Sequence, residues 1–430
     1  MDLDRKTAYE VLMDIEKNQA YSNLALNQYM EKNKPKNQGF IRELVYGVLK
    51  NKILLDYYLD SLVVKGVKKL KKQDLTLLRM GIYQIKYMNS VPAYAAVNET
   101  VNMAKVFARG RQGFINGVLR GFLKKQEGIA LPSKEEEPIS YYSVRYSIAP
   151  WIVKLWIDAY GEKTAERLMA SSNETPQLSL RTNILKISRD DLAEKLEKAS
   201  YLVKKGSETD RVLFAEGSNL LETELYREGY FAVQDQASVM AADAVGAEKN
   251  STVIDVCAAP GGKTFAMAER MENSGSIIAM DLYEHKLELI KKQAAGRGID
   301  IIQTRCQDST QPVCEFTETA DFVLADVPCS GLGVLKRKPE IKYKGCEELP
   351  ELIERQRKIL QAAAGYVKPG GILVYSTCTI NPDENEKQTE HFLAGHPEFQ
   401  EIFHRQLLPC DETDGFFICR MKKVKVNDIK

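Results

Sequence analysis

Two cysteines in the second half of the chain stand where a nucleophile could act. Cys329 lies in Asp326-Val327-Pro328-Cys329-Ser330-Gly331, and Cys378 in Ser376-Thr377-Cys378-Thr379. Each follows a short apolar run that reads as a strand, over 321–327 and 371–376. Taken alone, a cysteine is most often a buried small apolar residue. A thiolate is a strong nucleophile once its pKa is lowered. Asp326, beside Cys329, offers a carboxylate to the polar edge of a substrate.

A third segment runs from Val253 to Thr264 and reads as a strand, a turn of small residues and a helix start. At Cys257, Ala258, Ala259, Pro260, Gly261, Gly262 and Lys263 a ligand can approach the backbone closely. The helix N-terminus adds free N–H groups. Two cofactor readings fit. One is a nucleoside-containing cofactor, although GxGxxG is absent. The other is the phosphate loop of a nucleoside triphosphatase. Cys257-x-x-x-x-Gly262-Lys263-Thr264 matches GxxxxGK[ST] except at its first glycine, and Ala325-Asp326 passes as the acidic strand end. The next strand favours the nucleoside. Asp281 ends the run from Ile277 to Met280, 19 residues after Gly262, where an acid suits ribose hydroxyls. Asp308 follows a third strand and is placed to accept from an adenine amino group. Either acid alone could equally be a turn or cap residue. Lys336-Arg337-Lys338-Pro339-Glu340-Ile341-Lys342 follows the Cys329 loop; its cations suit phosphate contacts, or form a solvated loop.

These groups need a frame that brings strand ends together. Strands are predicted over 252–256, 276–280, 300–304, 321–327 and 371–376, and helices over 264–271, 284–297, 349–366 and 383–393. The alternation implies a mostly parallel, doubly wound sheet with ligands at the strands' carboxyl ends. Residues 141–230 mix helices (150–160, 163–171, 189–199) with short strands (178–183, 202–203, 211–214), a small α+β unit. Residues 5–125 read as helical. Ala8, Val11, Leu12 and Ile15 share one face, as do Val97, Thr100, Val101, Ala104 and Ala108. Pro, Gly and a run of acids over 126–140 read as a linker. The expected domains are therefore 1–130, 141–230 and 231–430.

A chain of 430 residues suits two or three domains. With 44% hydrophobic and 28% charged residues it is not a disordered chain. The net charge of +1 hides a split. Residues 1–140 hold 23 Lys+Arg against 15 Asp+Glu, and the remainder 37 against 44. Residues 65–125 alone carry 13 basic and 2 acidic side chains, which fits an anionic partner such as nucleic acid. No apolar signal stretch or membrane-length run is present. All eight cysteines follow residue 250 without CxxC pairing, which tells against a disulfide framework or a zinc ribbon and fits a reducing cytoplasm. Four histidines tell against a His-rich metal site.

Taken together, Val233-Gln234-Asp235-Gln236-Ala237-Ser238, the Cys257–Thr264 turn, Asp281, Asp308, Asp326–Gly331 and Ser376–Thr379 resemble the RNA cytosine-C5 methyltransferases. Ala96–Val101 and Phe114–Arg120 are similar to the NusB-type helical RNA-binding domain, and Leu180-Arg181-Thr182-Asn183 to the small domain before the catalytic fold. The resemblance spans nearly the whole chain and points to the branch that acts on 16S ribosomal RNA. It implies an all-α NusB-like N-terminal domain, a small RRM-like α+β subdomain and a Rossmann-like class I methyltransferase domain. It implies S-adenosyl-L-methionine as cofactor. Residues 257–263 would line its methionine and ribose, Asp281 would bind the ribose, Asp308 the adenine, and Asp326 would border it. Cys378 would be the nucleophile on cytosine C6, and Cys329 would assist product release. Asp326, protonated or sharing a proton, would bond the N3/N4 edge of the base. The expected partner is 16S rRNA, naked or in an early assembly intermediate, at the cytosine called 967 in the family's name. No membrane or metal partner is expected, and the chain is taken as a monomer. Lys338 departs from the pattern, in which histidine is expected. The rivals are the triphosphatase, a non-catalytic RNA-binding or antitermination factor, and a DNA methyltransferase using Cys329 as nucleophile. The paired cysteines and cofactor acids favour an enzyme, and the Thr-Cys cysteine favours RNA.

Overall fold

The computed structural model describes residues 2–18 and 20–424. The chain forms two compact units. One comprises Met1–Glu174 with Leu335–Gly345; the other comprises Thr175–Val334 with Cys346–Lys430.

The first unit is helical: α1 (Leu3–Asn18), α2 (Ser22–Asn33), α3 (Gln38–Lys50), α4 (Lys52–Asp60), α5 (Lys72–Tyr87), α6 (Ala93–Phe107), α7 (Gln112–Lys125), α8 (Pro138–Tyr146), α9 (Pro150–Tyr160) and α10 (Glu162–Ser171). The apolar faces read from the sequence are its core. Ala8, Val11 and Leu12 of α1 are buried with Val97 and Ala104 of α6 and Leu77 and Leu78 of α5. Asn37 caps α3 by accepting from the Phe40 N–H at 2.9 Å. Proline opens α8 and α9, where its missing N–H has no intrahelical partner to lose.

The unit continues through the segment expected to be a linker, and α8–α10 belong to it. The apolar content of these helices explains this. Tyr142 and Trp156 are buried, and the Leu54 N–H of α4 donates to Ser147 Oγ at 2.9 Å. The basic loop after Cys329 is also corrected. Leu335–Gly345 folds into the helical unit instead of offering its lysines to phosphate. Lys342 is wholly buried and donates to the carbonyls of Lys50 and Tyr146 and to Asn173 Oδ1. Burial, with Lys50 nearby, pushes its ammonium pKa well down. Lys336 is buried against Glu174, and Lys338 lies 5.1 Å from the Tyr21 ring centre.

The second unit holds two sheets. The smaller has the antiparallel order β2 (Leu202–Lys205), β3 (Val212–Glu216), β1 (Ser179–Thr182), β4 (Phe231–Val233), and α11 (Arg189–Lys198) packs on it. A short helix α12 (Glu224–Arg227) precedes β4. The larger sheet is built from β5 (Thr252–Asp255), β6 (Ser276–Asp281), β7 (Ile302–Cys306), β8 (Ala320–Asp326), β9 (Val367–Thr377), β10 (Phe399–Leu407) and β11 (Phe416–Lys423). Its helices are α13 (Gln236–Val245), α14 (Gly262–Arg270), α15 (Glu284–Arg297), α16 (Leu349–Tyr366) and α17 (Glu386–Gly395). The order is β10-β11-β9-β8-β5-β6-β7. Strands β5 to β9 run parallel, and β10 and β11 close one edge antiparallel. The sheet is Rossmann-like, with its order reversing at β5. Strands β10 and β11 had no counterpart in the sequence reading. Edge strand β10 is exposed at six consecutive positions, so no alternation marked it. The expected helix over 383–393 is split. A 3-10 turn at Pro382–Glu384 precedes α17, and Asn385 between them leaves helical geometry at φ −115°, ψ −104°.

Candidate active site

The site lies at the carboxyl ends of β5, β6, β8 and β9. Strand β5 ends in Asp255, which is buried, accepts from Thr264 Oγ1 at 2.7 Å and so ties the strand to α14. Between them, Gly261 has φ +102°, and a Cβ there would lie 2.7 Å from the Phe265 ring. Only glycine makes this turn without strain.

Burial raises the Asp255 pKa from its ordinary 3.8 to about 7, with the Thr264 hydrogen bond opposing and Asp326 adding to it. The folded protein therefore holds a proton that the unfolded chain releases between about 3.8 and about 7. This contribution to stability is fully present below 3.8 and is lost as pH rises through about 7. Asp255→Asn is expected to gain stability relative to wild type across that window. Urea midpoints at a series of pH values test this, and parallel curves for the two proteins would refute it.

A cavity of about 810 Å³ opens in front of the strand ends. Cys257, Ala259, Asp281, Asp308, Asp326, Cys329 and Cys378 all line it. A smaller cavity of about 160 Å³ is lined by Ala258, Pro260, Gly262 and Lys263, and shares Cys257, Ala259 and Asp326 with the first. Among the residues expected to touch a cofactor, Gly261 lines neither cavity and serves the turn instead. Asp281 accepts from the Ala259 and Tyr283 N–H groups at 3.3 and 3.1 Å. Asp308 Oδ1 accepts from Thr310 Oγ1 and N–H at 2.7 and 3.0 Å, bonds that hold its pKa below the ordinary value. A carboxylate has about four lone-pair positions, so both acids keep acceptor capacity for hydroxyl or amino donors. Two such acids beside a helix N-terminus fit a nucleoside cofactor.

Sequence reasoning placed Lys263 with the cofactor loop; the structure also ties it to Asp326. Lys263 Nζ lies 2.8 Å from Asp326 Oδ2, and Ser376 Oγ donates to Asp326 Oδ1 at 2.8 Å. Burial works against the Lys263 ammonium, but Asp326 beside it outweighs this and the pKa is raised. Asp326 thus accepts at both oxygens, and the proton it shares sits on Lys263. A lysine so engaged is unlike one reaching for phosphates, which disfavours the triphosphatase.

The two cysteine sulfurs are 3.2 Å apart. The hydrogen bond with Cys378 and burial push the Cys329 thiol well above its ordinary pKa. Cys329 is therefore a thiol that holds its proton, within hydrogen-bond reach of the Cys378 sulfur. One polar residue missed in the sequence braces this pair. Glu384 is buried and accepts from Ser330 N–H at 2.8 Å and from Gln356 and Asn381 amides at 2.9 and 3.1 Å. It pins the Cys329 loop to the segment after Cys378. The signal was a carboxylate six residues beyond a strand-end cysteine, hidden within an assumed helix.

The small sheet reaches the cofactor turn through Arg181 of β1. Its guanidinium donates to the Gly262 carbonyl and to Gln234, and pairs with Glu269 of α14 at 2.7 Å. Arg211 pairs with the other Glu269 oxygen at 2.6 Å and with Asp243 at 2.9 Å. Arg181, Arg211 and Glu269 are all buried.

Three family models match the chain. They are "16S rRNA methyltransferase RsmB/F" over residues 242–422, "NusB family" over 3–124, and "Methyltr_RsmF/B-like, ferredoxin-like domain" over 149–217. A Bacillus subtilis protein, "Probable ribosomal RNA small subunit methyltransferase B", is 38% identical over 97% of this chain and 98% of its own length. The "Ribosomal RNA small subunit methyltransferase B" of Vibrio cholerae is 31% identical over 93% and 92%. Among solved structures, "Crystal Structure of PH0851" aligns with TM-score 0.84 and 25% identity over 98% of this chain and 99% of that one. A methyltransferase homolog protein from Pyrococcus horikoshii aligns with TM-score 0.61 and 25% identity over 67% and 99%. The strand-end acids, the small-residue turn and the facing cysteines thus occur in a chain that belongs to the 16S rRNA methyltransferase RsmB/F family.

Proposed function

We propose that the chain methylates C5 of one cytosine in 16S rRNA through a covalent bond between Cys378 and C6, with the position called 967 in the family's name as its target. The observation that carries this reading is the 3.2 Å approach of Cys378 and Cys329 in a cavity lined also by Asp281, Asp308 and Asp326, the last of which pairs with Lys263. S-adenosylmethionine supplies an electrophilic methyl group when bound. Residues 257–260, Gly262, Lys263 and Asp281 would hold its methionine and ribose, and Asp308 its adenine.

Cytosine C5 is a poor nucleophile. Addition of the Cys378 thiolate to C6 forms an S–C bond and gives C5 enamine character. The Asp326 carboxylate receives the base's N4–H, and the proton on Lys263 can pass through this pair to N3. C5 then takes the methyl group. A base removes the C5 proton, the C5–C6 double bond re-forms as the Cys378 thiolate leaves, and the N3 proton returns through Asp326 to Lys263. Covalent catalysis divides one hard step into easier ones. Cys329, which keeps its proton, assists the final elimination. The target base must leave its stack to reach these groups.

The test is to incubate the protein with unmodified 16S rRNA and the methyl donor and to map 5-methylcytosine at nucleotide resolution. One new site supports the reading. Tight RNA binding without modification, on naked RNA and on early assembly intermediates alike, would favour a binding factor.

RNA binding should be salt-sensitive, because each neutralised phosphate releases counterions. Lys68, Lys69, Lys71 and Lys72 are exposed on the helical unit. Neutralising all four should weaken binding about tenfold or more at moderate salt. An affinity unchanged across a salt series would count against this.

A further inference from the structure

Glycine weakens a helix interior, because it gives up the most backbone freedom on folding. The interior glycines of the helical unit fall into two kinds. A Cβ on Gly47 would lie 1.9 Å from the Tyr83 ring, and one on Gly81 would lie 2.8 Å from a Leu119 methyl, so packing requires both. On α7, a Cβ at Gly113 or Gly117 meets nothing within 4 Å, and one at Gly121 only touches Leu62 at 3.8 Å. No packing among the described residues requires these three. They recur every fourth residue and so share one face.

That face lines a groove of about 590 Å³, together with Lys65, Lys69, Arg111 and Lys125 and without any carboxylate. Lys65, Lys69 and Lys125 are exposed and have no ion pair or hydrogen-bond acceptor among the described residues. Arg111 is held by the buried Asp74 at 3.0 Å and lies 4.1 Å from the Phe114 ring centre. Val64, wholly exposed, and Phe114 add apolar surface.

We infer that this groove seats a length of the substrate RNA's sugar–phosphate backbone. This rests on reading the chain as an rRNA methyltransferase. The lysines meet phosphates, and the bare helix face lets the ribose chain approach closely. Three lysines without an acidic partner among the described residues match a polyanion, and the wider stretch of 13 basic against 2 acidic residues over 65–125 extends that field. An acidic protein segment is the rival occupant.

The test uses the full chain and a methyl-transfer assay on 16S rRNA. The triple variant Lys65→Ala, Lys69→Ala, Lys125→Ala should raise KM for RNA about tenfold with kcat kept. It should also flatten the log–log salt dependence by about two to three units. Gly117→Gln places a neutral side chain in the groove; it should raise KM while the thermal midpoint holds or rises. If wild type is active and both variants keep its KM and salt slope, the groove is not an RNA site. An equal loss in a control triple, Lys17→Ala, Lys34→Ala, Lys36→Ala, would also overturn it, since general charge would then suffice. A loss confined to protein-containing assembly intermediates would overturn it in favour of an acidic protein segment. If wild type methylates no RNA, the proposed function fails. Gel-shift affinity then decides the groove separately, and variants binding as tightly as wild type would overturn it.

Discussion

Cys378→Ala is expected to lower methyl transfer by at least about 10⁴-fold, because loss of a covalent nucleophile removes a whole reaction route rather than one stabilising contact. The protein should still fold, bind RNA and bind the cofactor, since Cys378 is a partly exposed strand-end residue. Cys329→Ala should behave differently. It leaves the nucleophile in place but removes the thiol that faces it across 3.2 Å. Addition to C6 should proceed and release should slow, so a protein–RNA adduct that survives denaturing gel electrophoresis should accumulate. The asymmetry follows from the different roles proposed for the two sulfurs. Adduct trapping by Cys378→Ala instead would reverse the two roles. It would also reopen the alternative in which the Pro-Cys cysteine attacks.

The second large effect is on stability. Glu269 is buried between Arg181 and Arg211, with one carboxylate oxygen on each. Glu269→Ala would take the carboxylate from the buried Arg181 and leave Arg211 with Asp243 alone. Breaking a buried ion pair from one side costs about 3–5 kcal/mol. In a unit of this size that corresponds to a fall of roughly 10 °C in Tm. Arg181→Met removes one charge and should cost less, yet it frees the Gly262 carbonyl at the start of α14. Its signature should be a raised KM for the methyl donor with kcat at saturation retained. Calorimetry on both variants and donor titrations on Arg181→Met read the two effects independently. A Glu269→Ala protein as stable as wild type would mean that the arginines find other acceptors or water.

Much of the site was legible because its chemistry is concentrated in short segments at strand ends. Asp281, Asp308, Asp326, Cys329 and Cys378 each follow an apolar run, and the parallel sheet brings them to one cavity. The relations among them were not legible. Nothing in the spacing shows that Lys263, 63 residues before Asp326, ends against its carboxylate. Glu384 was concealed because the chain bends at Asn385, where acids and amides look like an ordinary helix start. The antiparallel edge was missed because β10 faces solvent along most of its length and carries no alternation. The basic loop misled for a further reason. Lysine usually signals solvent, and only tertiary structure supplies the carbonyls that let Lys342 be buried.

That buried loop bears on how the chain can be divided. The chain leaves the helical unit after Glu174, re-enters it at Leu335 and leaves again after Gly345. The units are threaded through three peptide connections, unlike beads joined end to end. No single cut separates them. Removing residues 1–174 would strand eleven residues whose lysine ammonium and tyrosine hydroxyl have their hydrogen-bond partners in the missing part. Exchange of the helical unit between relatives therefore has to carry both pieces of chain.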